Sequence, residues 1–294
     1  LGPSLAAQEC DCDFLTSGTS VVDPKVLQWY KDEQCCEPIE KRYVDSNLWL
    51  WEQPDYEKDY IVCADVARGD GEDYSTFHII EVDGVKQVGE YKGQIPPKEF
   101  GNLCMNIATE FNNALLIIEN NSIGWAAIQA VMDREYDNLF YTSKDLKYVD
   151  VQRQLINRYR NEERKMVPGF TTTMRTRPLV IAKIEEFVRL KEVTINSGRL
   201  IDELFTFVYN NNKAEALRGY NDDLVMAYGI GLWVRDTALR LKAEGVELNK
   251  RTLEGFNSNQ ALYTNEDSND NGIWDWETGR GKEDLTWLLG NKKR

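Results

Sequence analysis

YIVCADVARGDGEDYSTFHII, residues 60–80, decides how this chain is read. Its opening run is apolar, as in a strand buried on both faces, yet the run closes on an acid, Asp65. A buried carboxylate with no partner is costly, so Asp65 calls for a metal ion, an arginine or a ring of backbone N–H groups.

Regular structure extends outward from this stretch. STFHIIEV (75–82) and VKQVGEY (85–91) flank Asp83-Gly84, a two-residue turn that signals a hairpin. PPKEFGNLCMNIATEFN (96–112) opens with prolines suited to a first helical turn. It then spaces Phe100, Leu103, Cys104, Ile107 and Phe111 at helical intervals. ALLIIEN (114–120) reads as a central buried strand ending in Glu119, and GWAAIQAVMDRE (124–135) as a helix. Hairpin, helix, buried strand and helix make an α/β domain with a mixed central sheet flanked by helices. If the strands ending in Asp65 and Glu119 are parallel neighbours, their carboxylates stand side by side at the edge where open α/β sheets bind ligands.

Downstream, VQRQLINRYRNEER (151–164) reads as a basic helix. PGFTTTMRTRPLVIAKIEEFVRL (168–190) reads as a Thr- and Arg-rich loop entering a helix near Pro178. LIDELFTFVYNN (200–211) follows, then GYNDDLVMAYGIGLWVRD (219–236), with Asp222 and Asp223 heading a long apolar helix. One aspartate satisfies a helix cap, which leaves the second free. The first sixty residues show no sustained period and look like the end of one domain plus a linker and a short aromatic segment.

Composition narrows the classes. With 294 residues and 42% hydrophobic content the chain can build a proper core, and it holds no run of roughly 18 apolar residues that would span a membrane. Six cysteines are too few for a disulfide scaffold and suggest a reducing cytoplasm. Cys10, Cys12, Cys35 and Cys36 lack the spacing of structural zinc sites. The net charge of -14 argues against autonomous nucleic-acid binding, although residues 141–218 carry fifteen Lys+Arg against ten Asp+Glu. His78 is the only histidine and sits in a strand pattern, which disfavours serine-histidine and cysteine-histidine catalysis. Carboxylates at separate strand and helix ends suit a different chemistry. Two hard divalent ions about 3.5–4 Å apart take oxygen ligands, activate a water and stabilise the leaving oxygen of a phosphodiester.

Taken in order, ADVARGDGEDYSTFHII, LLIIENNSIG and YNDDLVMA closely resemble the nuclease domain of the large terminase subunit of tailed bacteriophages, particularly of the large myovirus type. The resemblance covers roughly residues 60 to 235 and extends weakly upstream, where AAQECDCDFLTSGTSVV (6–22) looks like the close of a packaging ATPase domain. It implies a ribonuclease H-like fold and a metal-dependent endonuclease that cuts concatemeric viral DNA during packaging. Asp65 then resembles the first metal-ligating acid, Glu119 the second, and Asp223, or else Asp222, the third. Asp70 and Asp73 are outer-shell or turn residues. In some relatives a histidine precedes the third acid; Tyr220 stands in that place here. Mg²⁺ or Mn²⁺, as two ions, would be the cofactor. Thr172, Thr173, Arg175, Arg177 and Lys183 would line a DNA groove and contact phosphates.

The implied domains are 1–58, the end of the ATPase domain and a linker; 59–241, the nuclease; and 242–294, an acidic flexible tail. The implied partners are double-stranded DNA, the portal protein and the small terminase subunit, with no membrane. The full-length protein would form a ring on the portal, in the host cytoplasm and not in the mature virion. No G-x(4)-G-K-[ST] loop is present, so no ATP hydrolysis is expected of this chain. Asp267, Asn269, Asn271 and Gly272 approximate a calcium loop, but position twelve is Thr278, with Glu277 one residue early. Trp274, Trp276 and Trp287 are candidate anchors for a capsid partner. Two other readings stay open: a non-catalytic portal-docking module whose acids cap helices and turns, and a resolvase- or transposase-type nuclease of the same superfold.

Overall fold

In a computed structural model of the chain, residues 20–43, 45–69, 71, 73–143, 166–210 and 213–237 are described. All lie in one compact unit, Leu1–Leu241; a second unit, Lys242–Arg294, lies outside them. The near-calcium loop, the three tail tryptophans, Cys10, Cys12, Asp70 and the expected basic helix at 151–164 also fall outside the described residues.

The order is α1 (Pro24–Glu33), β1 (Glu40–Arg42), β2 (Leu48–Leu50), β3 (Tyr60–Asp65), β4 (Ser75–Glu81), β5 (Lys86–Gly93), α2 (Pro97–Glu110), β6 (Leu115–Ile118), α3 (Gly124–Met132), β7 (Tyr141–Ser143) and β8 (Met166–Pro168). It continues with α4 (Thr176–Arg189), α5 (Gly198–Phe205), β9 (Phe207–Asn210) and β10 (Lys213–Ala216). A last helix, α6, covers residues 223–237.

Six strands form the main sheet in the order β1-β2-β5-β4-β3-β6. The β3–β6 pair is parallel and the other neighbours are antiparallel, so the sheet is mixed as expected. Residues 40–50, within the stretch read as the end of one domain plus a linker and a short aromatic segment, add β1 and β2 to this sheet. The β4–β5 connection is a turn over residues 82–85 with Val85 at φ 47°, longer than the two-residue turn expected at Asp83-Gly84. A register shift between Ile79 and Ile80 leaves one extra residue on β5, a bulge.

Strand alternation divides the core into two layers. Val62, Ala64, Phe77, Ile79, Leu116 and Ile118 pack with the apolar stripes of α2 and α3. Ile61, Cys63, Ile80 and Ile117 point the other way, onto α1, α4, α5 and α6. The sequence of α2 explains its placement: Phe100, Cys104, Ile107 and Phe111 are buried at helical spacing. Helix α6 approaches the sheet closely because residue 231 is glycine; a Cβ there would lie 2.5 Å from the Cys63 sulfur. Tyr30 and Leu27 seat α1 in the same layer.

Candidate active site

The parallel pairing sets Ala64 of β3 opposite Ile118 of β6, and the Glu119 N–H donates to the Ala64 carbonyl at 2.9 Å. One residue further along each strand, Asp65 and Glu119 therefore stand side by side. They share the parity of Cys63 and Ile117, so both face the α6 layer. Their carboxyl groups lie within hydrogen-bonding reach of each other. Glu119 is 7% exposed, and the Asn121 side chain donates to its Oε1 at 2.6 Å. The tight return from Glu119 into α3 needs Gly124, because a side chain there would collide with the Glu119 carbonyl oxygen.

Helix α6 brings the other two acids. The Met226 N–H donates to the Asp222 carbonyl at 2.8 Å, which makes Asp222 the capping position by its backbone. Its side chain is held elsewhere, by Arg177 Nη2 at 2.6 Å from Oδ2. Asp223 accepts from the Tyr74 N–H at 3.1 Å and from the Asn221 side chain at 3.4 Å, both on Oδ2.

This crowding of acids shows in their protonation. Asp65 keeps some solvent exposure, but burial, then the charge and hydrogen bond of Glu119, then Asp223 and Asp222, raise its pKa well above the usual carboxylate range. Asp223 is pushed up to about 6, chiefly by burial and then by Asp222 and Asp73, against the Tyr74 N–H and Lys92. Such a cluster either retains protons or recruits a cation.

Among the described residues, no three of His, Cys, Asp and Glu converge closely enough to form a metal-ligand group. The donor set still suits a hard divalent ion. It is all oxygen, and the Asp65 and Glu119 carboxyl groups lie together, so a bound cation would offset the charge that raises the Asp65 pKa. Asp73 reaches the cluster only through its charge on Asp223.

Backbone pairing sets the start of the segment expected to line a DNA groove beside this cluster, since Phe170 bridges to Glu119 and the Asn120 N–H donates to its carbonyl at 2.9 Å; Lys183, by contrast, meets Asp236, thirteen residues along α6 from Asp223. Thr173 shapes the turn that leads into α4: its hydroxyl oxygen accepts from the N–H groups of Arg175 and Thr176 at 3.2 and 3.1 Å. The Thr172 hydroxyl is buried without a partner. Arg175 is exposed. Arg177 is engaged by Asp222, although its Nε is buried and unpartnered. Lys183 pairs with Glu186 at 2.7 Å and Asp236 at 3.1 Å, so a phosphate would have to displace two carboxylates there. Tyr220, where some relatives carry histidine, is exposed.

Several residues at the site escaped the sequence reading. Glu203 of α5 is buried and its Oε1 meets Lys92 Nζ of β5 at 2.6 Å. A signal existed: Glu203 lies three residues after Leu200, on the apolar stripe of its helix. Nothing local marks Lys92. Cys35 and Cys36 are free thiols.

This architecture, a mixed sheet flanked by helices as in the ribonuclease H-like fold, is shared with known structures. The chain is similar in structure to the large terminase nuclease from thermophilic phage G20c, at 14% identity and a TM-score of 0.52, over 72% of this chain and 97% of that one. The same nuclease with bound magnesium and with bound cobalt matches at 15% identity and TM-scores of 0.51, each over 74% of this chain and 97% of that one. No family model matches the sequence. The fold is therefore that of a large terminase nuclease domain.

Proposed function

We propose that this chain is the DNA-cutting part of a large terminase subunit, a metal-dependent endodeoxyribonuclease that cuts concatemeric viral DNA during packaging. One observation carries the reading: Asp65 and Glu119 stand side by side on parallel strand ends, with Asp223 close enough to raise the pKa of Asp65. The fold shared with terminase nucleases, one of them solved with magnesium, supports it.

In this reading Asp65, Glu119 and Asp223 hold Mg²⁺ or Mn²⁺, as two ions. When bound, such ions lower the pKa of their water and offset charge on the phosphate. The chain's own residues do the rest. Asn121 fixes the Glu119 carboxylate, and the Tyr74 N–H fixes that of Asp223. Arg177 holds Asp222 away from free rotation, so Asp223 is assigned as the ligand of the pair. Thr172, Thr173 and Arg175 meet the DNA backbone without reading bases, joined by Arg177 and Lys183 once phosphate displaces their carboxylates. The net charge of -14 makes weak binding of free DNA the expectation, with the portal and the small terminase subunit supplying the remaining affinity in a ring assembly in the host cytoplasm. The C-terminal residues 242–294 are assigned as a tail.

The test is incubation with supercoiled plasmid in EDTA, Mg²⁺ and Mn²⁺, beside Asp65→Ala. Metal-dependent nicking and linearisation, lost in the variant, is the expected result. Folded protein that neither cuts nor binds metal would return the chain to a portal-docking role.

A further inference from the structure

Residue 224, next to the proposed ligand Asp223, is gripped at both ends of its backbone by buried side chains from other elements. Its N–H donates to Glu203 Oε2 of α5 at 2.9 Å, and its carbonyl lies 3.0 Å from His78 Nε2 of β4. A carbonyl only accepts, so Nε2 carries the proton. Nδ1 is then the acceptor for the Gln87 side chain at 2.9 Å. One residue earlier, the Thr76 hydroxyl, also from β4, donates to the Asp223 carbonyl at 3.0 Å.

This grip exceeds what a helix start requires. A first-turn N–H is normally capped by a nearby Ser, Thr, Asp or Asn, whereas here the acceptor belongs to a residue 21 positions away in the chain. The histidine bond spans 146 positions, and both His78 and Glu203 are buried. Buried polar groups are costly unless satisfied, and these are satisfied by the backbone that carries Asp223. Glu203 is in turn held by Lys92, and Gln87, which holds His78, accepts the N–H groups of Asn196 and Ser197 at 3.0 and 2.9 Å.

We infer that His78 and Glu203 are positioning residues for Asp223: together they lock the backbone of residues 223–224 so that the Asp223 carboxylate is delivered to Asp65 and Glu119. The inference rests on the nuclease reading, in which Asp223 binds the cation. Neither residue touches the reacting atoms, which explains how the lone histidine serves the site without being its base.

The test is Mn²⁺ binding by isothermal titration calorimetry on the full chain, without DNA, with wild type and Asp223→Asn as references. Glu203→Met and His78→Phe should each weaken Mn²⁺ binding by about tenfold, the usual cost of removing an outer-shell partner. Glu203→Gln keeps an acceptor for the Leu224 N–H and should stay within about twofold of wild type, even though it loses the charge. DNA binding in EDTA should be unchanged in all three, a split that general loosening of the fold would not produce. Wild-type Mn²⁺ affinity in both Glu203→Met and His78→Phe, with Asp223→Asn impaired, overturns the inference and leaves the nuclease reading standing. Absence of Mn²⁺ binding in wild type overturns that reading and the inference with it. If Glu203→Met fails to fold, Glu203→Gln bound as weakly as Asp223→Asn would overturn the hydrogen-bond account.

Discussion

Arg177 and Asp222 form a 2.6 Å ion pair at the rim of the acid cluster, and the Arg177 Nε remains buried without an acceptor. The pair occupies the Arg177 guanidinium while it neutralises one of two adjacent aspartates. Asp222→Asn should free the guanidinium. DNA affinity measured by fluorescence anisotropy in EDTA should rise a few-fold, and the salt slope should steepen by about one unit, the value of one added phosphate contact. Asp223→Asn should leave DNA binding unchanged and abolish cleavage. Equal loss of cleavage in both variants, with no gain in binding, would contradict this division of roles.

The acid cluster should make the metal-free protein less stable as pH rises. Unfolded aspartate titrates near pH 4, whereas Asp223 is pushed up to about 6 and Asp65 is raised as well. Each raised group contributes stability that is fully present below pH 4 and lost as pH climbs through the folded value, on the order of 2 kcal/mol for Asp223 after allowance for its partial exposure. Melting temperatures in EDTA should therefore fall as pH rises from 4 through 6. Asp65→Asn should flatten that fall and raise the melting temperature at pH 8. Saturating Mg²⁺ or Mn²⁺ should restore wild type at pH 8 by about 2.7 kcal/mol at a hundredfold excess over Kd, and should do little for the variant.

Lys92 and Glu203 make a second pH-resolved case. Burial pushes Glu203 up to about 7 despite the nearby Lys92 ammonium and the Leu224 N–H, so the pair is fully ionic only above neutrality. Lys92→Met should cost about 2–3 kcal/mol at pH 8, where it strands a buried carboxylate, and little at pH 5. Adding Glu203→Gln should recover most of the loss. Denaturant titrations at the two pH values measure this directly; a cost independent of pH would show that the lysine acts through packing alone.

Helix α6 sits where it does because Gly231 meets the Cys63 sulfur and the Ile80 side chain. Gly231→Ala should destabilise the fold by about 1–3 kcal/mol through overpacking, and lower Mn²⁺ affinity because the same helix carries Asp223. Cys63→Ala, which removes the nearest atom, should rescue part of both effects. Rescue of stability without rescue of metal binding would uncouple the helix seat from the site.

Much of this was legible along the chain. Asp65 and Glu119 stand out because each ends an apolar run with a charge, and the Asp222-Asp223 pair because a cap uses one acid and two are present. The spacing of Phe100, Cys104, Ile107 and Phe111 placed α2, and the apolar runs placed β3 and β6. Other features left no local trace. Strands β1 and β2 are three residues each, too short for a period to show. Lys92 looks like any strand-end lysine until Glu203, 111 positions away, is set against it. Arg177 was expected to face phosphate, and its ion pair with Asp222, 45 positions on, could be known only once α4 and α6 were docked.

The order of elements and the acids that end them follow from short-range physics, since apolar spacing and capping act within a few residues of chain. The meeting of those acids does not. It depends on β3 and β6 pairing in parallel register, on alternation turning Asp65 and Glu119 toward the same layer, and on α6 closing onto that layer at Gly231. The grip of His78 and Glu203 on Leu224 belongs to the same level, because its partners are distant in sequence and buried together only when α5 and α6 pack onto β4.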